Sequence, residues 1–230
     1  MVRLKYSIIA FMVLSLFIQG RAYAIPVDGP EMPEKHKWLW GSQADFIFKR
    51  RVTGVEGRVE SNQYFITGSY GLLDWLSLDG KIGAGNVGFG PDNSGRIDYD
   101  YGFAGGDGFR IRVYGDEEKG LSVITGFQHI SVHPPAENID GERHSVIWDE
   151  WQGSSIIAKK MGNSTIYLGP LFSEGDIIYK VSGARIRLKP EERWGGVIGI
   201  GCSIKENLQL YLEGRFGGEE GISGGITFRF

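Results

Sequence analysis

Ile222-Ser-Gly-Gly-Ile226-Thr-Phe228-Arg-Phe230 ends the chain. Ile222, Gly224, Ile226, Phe228 and Phe230 form one set, and Ser223, Gly225, Thr227 and Arg229 form the interleaved one. A period of two is the mark of a strand with one apolar and one polar face, whereas a helix repeats every 3.6 residues. The preceding stretch does the same. Leu208, Leu210, Leu212, Gly214 and Phe216 alternate with Gln209, Tyr211, Glu213 and Arg215.

The pattern continues toward the N-terminus. Trp194, Gly196, Ile198, Ile200, Cys202 and Ile204 alternate with small residues. Phe109, Ile111 and Val113 alternate with Arg110 and Arg112. Leu76, Leu78, Gly80, Ile82 and Ala84 alternate with Ser77, Asp79 and Lys81. Tyr64, Ile66 and Tyr70 alternate with Thr67 and Ser69, and Trp38, Trp40, Ala44, Phe46 and Phe48 with Gln43, Asp45 and Lys49. Strands near 121–132 and 144–159 alternate less cleanly. With 36 Gly and only 8 Pro in 230 residues, helical interiors are disfavoured and a curved sheet is favoured. The expected fold is all-β.

The first residues read as a targeting segment. Arg3 and Lys5 precede the apolar run Ser7–Ile18, and Ala22-Tyr-Ala24 is a small-x-small cleavage site. The run is shorter than the ~20 residues a spanning helix needs, so cleavage after Ala24 is expected and residues 1–24 are set aside as a signal peptide. Residues 25–36, rich in Pro and charge, read as an extended periplasmic tail. No later stretch is long and apolar enough for a membrane helix. The mature chain is therefore either soluble in the periplasm or spans a membrane as strands, with 37–230 as its expected barrel.

Connections alternate between short ones (Gly71–Asp74, Asp116–Gly120, Gly162–Ser164, Lys205–Asn207) and longer polar ones (Gly88–Asp98, His133–Arg143, Phe172–Arg193). Two further connections, Thr53–Arg58 and Gly217–Gly221, are short but rich in Gly and Glu. Tight periplasmic turns and longer external loops are the layout of a transmembrane barrel. The count is about ten antiparallel strands in an up-and-down order. Eight or twelve remain open, because Asp176–Val181 and Ala184–Leu188 could form an extra hairpin. A soluble sandwich would show the same alternation. Two features favour the membrane reading: the leader, and a terminal aromatic strand that would be an aggregation-prone edge unless a closed barrel pairs it. Trp38, Trp40, Tyr70, Trp75 and Trp194 sit near expected membrane boundaries, as interfacial aromatics do.

The polar face carries Asp45, Lys49, Asp79, Lys81, Arg110, Arg112, Glu213, Arg215 and Arg229. In a narrow lumen these charges would pair; on a soluble surface they would be solvated. Net charge is −3, too small to imply nucleic acid. The single cysteine, Cys202, excludes an intrachain disulfide and a cysteine-based metal site. No metal and no cofactor is expected, and the oligomeric state is open.

The terminal strand Ile226-Thr-Phe228-Arg-Phe230 resembles that of the small outer-membrane barrels of bacteria (OmpA-type and porin-like). The resemblance implies recognition by the barrel-assembly machinery, contact with outer-membrane lipid and lipopolysaccharide, and a barrel filled by side chains or holding a narrow water path. No appended domain is expected after Phe230. The function so implied is a structural or narrow-pore role without catalysis.

One motif points to chemistry. Phe127-Gln-His129-Ile-Ser131 places His129 and Ser131 on one strand face, where a His can activate a Ser if a carboxylate orients it. Glu142, just across the expected loop, is the candidate carboxylate, and the motif resembles the F-x-H-x-S of the outer-membrane lipid A deacylase family. That family continues with Asn-Ala, and this chain with Val132-His133. An esterase using His129, Ser131 and Glu142 is thus the alternative, and loop-mediated surface binding by 88–98, 133–143 and 172–193 a third.

Overall fold

The computed structural model describes residues 29–53, 57–91 and 96–230. The leader read at 1–24 lies outside the described residues. Twelve strands and no helix are found among them. In chain order they are β1 (Trp38–Val52), β2 (Gly57–Leu73), β3 (Leu76–Pro91), β4 (Ile97–Asp116), β5 (Leu121–His133), β6 (Glu137–Ile139), β7 (Glu142–Met161), β8 (Ser164–Val181), β9 (Ala184–Leu188), β10 (Trp194–Lys205), β11 (Leu208–Gly217) and β12 (Glu220–Arg229).

Ten of these close on themselves. β1–β5, β7, β8 and β10–β12 each pair antiparallel with two neighbours, and β12 returns to β1. The seam pairs Phe228 with Trp40 and Ile226 with Ser42, and the Phe230 N–H donates to the Trp38 carbonyl at 3.2 Å. Closure leaves the ring of ten strands no free edge. The possible hairpin at 176–188 is present, but it raises the strand total without entering the ring. β9 pairs only with the far end of β8, and β6 only with the start of β7.

Both extra hairpins turn on two residues with positive φ, Asp140-Gly141 (53° and 82°) and Ser182-Gly183 (45° and 89°). Two such residues match a primed turn, whose twist suits antiparallel strands. At the opposite end the turns are short. In the β4–β5 turn the Lys119 backbone N–H, and then its ammonium, hold the Asp116 carboxyl below the usual carboxylate range.

Alternation sorts side chains to the two walls. Outward go Trp40, Phe48, Ile66, Ile82, Phe103, Leu168, Trp194, Ile198, Leu212 and Phe216, all exposed. Inward go Gln43, Asp45, Gln63, Lys81, Arg110, Gln128, Glu150, Gln152, Glu213 and Arg215, all buried. Large exposed apolar residues outside and buried charge inside invert the rule for a soluble fold. The arrangement is that of a transmembrane barrel.

Candidate functional site

The interior is stacked in three zones. At the end bearing the termini, Ile124, Ile156, Ala158, Tyr167 and Val197 form an apolar cluster around Met32. Met32 comes from residues 29–37, which dock into this end instead of trailing from it as an extended tail. Arg110 donates to the carbonyls of Gly29 (3.3 Å) and Glu31 (2.6 Å), and a Cβ at Gly29 would meet the Tyr211 ring at 3.4 Å. The backbones of His36 and Lys37 exchange hydrogen bonds with Gly71. Gly71 has to be Gly, because a Cβ there would lie 2.0 Å from the Glu34 carbonyl oxygen.

The middle zone is ionic. Arg50 binds Glu150, Glu219 (3.0 Å) and the Ser173 hydroxyl (2.6 Å). Arg215 binds Glu213 (3.1 Å) and Glu219 (3.2 Å), with Asp45 at 3.7 Å. Tyr167 donates to Glu213 at 3.0 Å, and Trp148 to Glu150 at 2.8 Å. All these side chains are nearly fully buried. Such groups are tolerated away from water only because each charge has several partners. Closer to the terminal end, Arg110 pairs with Asp79 at 2.7 Å, and the Lys81 ammonium lies 5.1 Å from the centre of the Phe65 ring.

The third zone, at the loop end, is apolar again. Val52, Val59, Val87, Phe89, Tyr99, Val132, Trp148, Ile177 and Leu188 pack together. Leu188 enters from β9, and the chain beyond it crosses to β1, where Pro190 bridges Val52 and Thr53 donates to the Lys189 carbonyl.

The charges expected in the lumen therefore divide. Asp45, Lys81, Arg110, Glu213 and Arg215 are buried inside, and Asp79 joins them through its pair with Arg110. Lys49, Arg112 and Arg229 are not. Lys49 sits beside a register shift in β1 and pairs with Glu220 at the loop rim (2.9 Å). Arg112 lies at the terminal rim, beside an open cleft of about 780 Å³ that Pro30, Trp75 and Lys160 also line. Arg229, near the chain end, binds Glu31 of the docked segment. The central residues missed were Arg50, Glu150 and Glu219. The bulge after Ile47 brings Arg50 inward out of phase with Lys49, and Glu219 projects inward from the short β11–β12 connection.

The outer wall carries one polar seam. On β5, Phe127, His129, Ser131 and His133 share the outward face. The His129 ring stacks on Trp151 with centroids 4.3 Å apart. Its Nε2 lies 2.6 Å from Asp149, and its Nδ1 3.7 Å from Asp107. The Ser131 hydroxyl lies 2.8 Å from His133 Nε2. Asp107 is highly exposed, although Phe103 and Phe109 on either side of it along β4 belong to the apolar wall.

Glu142 does not join this group. Ser131 pairs with Asp149, and Glu142 is seven residues further along β7, roughly 23 Å at strand rise. The carboxylate beside the histidine is Asp149. Its immediate neighbour Glu150 points inward, so the adjacent acids serve opposite walls.

Fold and site together define a closed antiparallel barrel with an apolar outer wall, a filled ionic interior and one polar seam outside. No family model matches the chain, and no curated protein sequence matches it. Among solved structures it is similar to an outer membrane channel from Pseudomonas putida F1, at 9% identity over 89% of this chain and 100% of that one, TM-score 0.47. It is also similar to the transport unit of the autotransporter AIDA-I from Escherichia coli (12%, 89% and 93%, 0.45). A third is the translocator domain of the autotransporter NalP from Neisseria meningitidis (13%, 84% and 88%, 0.45).

Proposed function

We propose that this chain is an outer-membrane β-barrel that is closed to solutes and works through its outer wall. The carrying observation is the ionic cluster of Arg50, Glu150, Glu219, Arg215 and Glu213, packed between two apolar zones. A water path would have to break buried ion pairs and displace apolar packing, and removing one partner of such a pair costs ~3–5 kcal/mol. A structural role is thereby favoured over a narrow pore. The leader, the apolar belt and the terminal strand Ile226–Phe230 support placement in the outer membrane, with the termini periplasmic and β6 and β9 external. The barrel-assembly machinery is the matching insertion partner. Purified protein in planar bilayers tests this: no unitary conductance is expected, and steady channels in the unmodified protein would sink the reading.

A second reading is favoured by the Ser131–His133 contact at 2.8 Å. Ionisable groups facing lipid are costly and usually functional. Here they stand where a lipid ester would lie. Ser131 Oγ would attack the acyl carbonyl while His133 Nε2 takes its proton and returns it to the leaving alcohol; water then hydrolyses the acyl-serine. His129, held by Asp149, is the neighbouring base on the same face. Loss of an acyl chain from membrane lipid, abolished in Ser131→Ala, would establish it. Unchanged lipid under both proteins would leave the closed scaffold.

A further inference from the structure

Lys180 and Arg185 are direct cross-strand partners on β8 and β9, and both are exposed. Like charges placed opposite one another destabilise a hairpin. Neither has an ion-pair partner among the described residues. On the other side of β8, Lys180 pairs with Ser145 of β7, so no carboxylate offsets the pair in that row either.

The neighbouring rows extend the patch. One row toward the belt, Ile147 pairs with Ile178 and Ile178 with Arg187. Arg187 is the one cation of the group with a carboxylate, Asp176 at 3.2 Å. One row the other way lies Arg143, exposed, whose carbonyl accepts from the Ser182 N–H. Strand alternation puts Arg143, Lys180, Arg185 and Arg187 on a single face. That face looks away from the lumen, because Ile177 and Leu188 on the other face are buried in the loop-end core. Following β8 back toward the barrel, the same face passes Asp176 and Glu174 and reaches Phe172, which packs on Trp194 of the apolar wall. The cations thus stand just beyond the belt, on the side where a lipid at that wall would carry its head group.

We propose that this face docks the phosphate groups of an outer-leaflet lipopolysaccharide, with its acyl chains along the wall below. The proposal rests on the reading of the chain as an outer-membrane barrel. A polyanionic lipid supplies both requirements at once, phosphates for the uncompensated cations and apolar chains for the belt. Free phosphate supplies only the first. It also gives the Lys180–Arg185 pairing a reason, since a bridging phosphate turns the repulsion into shared attraction.

The experiment uses the full chain in phosphatidylcholine nanodiscs, with lipopolysaccharide, dephosphorylated lipopolysaccharide and inorganic phosphate as probes. Insertion is verified first by heat-modifiable migration; failure there would fault the membrane reading itself. For inserted protein, binding of lipopolysaccharide is expected to fall roughly tenfold or more in the double variant Lys180→Ala, Arg185→Ala. Dephosphorylation should cause the same loss, and Lys49→Ala, a rim cation already paired with Glu220, should cause none. The double variant should unfold no more easily than the parent, because the repulsive pair is gone. Equal binding by parent and double variant would overturn the proposal, as would displacement of the lipid by inorganic phosphate at equimolar concentration.

Discussion

Arg50 and Glu219 meet at 3.0 Å inside the barrel, although one lies beyond a bulge in the first strand and the other in the connection before the last. The contact therefore fastens the closing seam from within, beside the backbone ladder that joins β1 to β12. Glu219 also holds Arg215, so one carboxylate links the first strand to the eleventh. Replacing Arg50 by Ala leaves Glu150 and Glu219 buried close together without their shared cation. The expected loss is ~3–5 kcal/mol, read as a lower urea midpoint for the detergent-folded barrel. Glu219→Gln keeps the shape and one acceptor oxygen, and should lose less. Equal midpoints for parent and Arg50→Ala would show that the cluster does not support the seam.

The docked segment at the terminal end invites a separate test. Met32 is nearly fully buried against Ile124, Ile156 and Tyr167. Met32→Ala should cost ~2–5 kcal/mol, the usual range for such a truncation in a packed core. Deleting residues 29–35 should also open the lower lumen to water while leaving the loop-end apolar zone shut. Faster amide exchange at Tyr167 and Val197, with Val132 and Trp148 still protected, is the expected pattern. Uniform protection would mean that the segment only covers the end without filling it.

These two regions mark where the sequence was readable and where it was not. Most of the ring strands follow from alternation, because each wall has one solvent and the period is two; β5 and β7 alternate less cleanly. Arg50 was hidden by the bulge, which shifts the phase between Phe48 and Arg51, and Glu219 by its place in a connection. Met32 lies in a stretch with three prolines and no alternation, so its burial is purely tertiary. The β8–β9 hairpin could be suspected from two short apolar runs around Ser182-Gly183. The β6–β7 hairpin has its own signal in Asp140-Gly141, two turn-forming residues inside the expected loop 133–143. On the outer wall, His129 and Ser131 were legible by spacing. Their carboxylate neighbour was not, because nearness in the loop points to Glu142, whereas cross-strand register supplies Asp149.

The terminal strand makes its own prediction. Phe230 contributes one backbone bond to Trp38 and an exposed ring at the edge of the wall. Deleting it should lower barrel stability only slightly, by ~1 kcal/mol for a single hydrogen bond. If the strand is also an assembly signal, the yield of folded barrel in the membrane should fall much further than that stability change explains. Membrane yield and in vitro refolding, measured on the same variant, separate the two effects. Matching small losses in both would remove the assembly role.

The polar seam on the outer wall can be tested through stability as well as chemistry. Asp107 faces outward between Phe103 and Phe109, and His129 Nδ1 lies 3.7 Å from its carboxylate. If the seam served only the fold, Asp107→Leu should stabilise the barrel in lipid, since an acidic side chain on a lipid-facing wall is unfavourable. Asp149→Asn should then lower the unfolding midpoint and leave lipid unchanged. If His129 must be held for work on a lipid ester, Asp107→Leu should still stabilise. Asp149→Asn should then reduce acyl release, because the imidazole beside the Ser131–His133 pair loses the carboxylate that holds it, without altering the unfolding midpoint. Loss of stability in Asp149→Asn together with unchanged lipid would assign the His129–Asp149 contact to the wall's own packing.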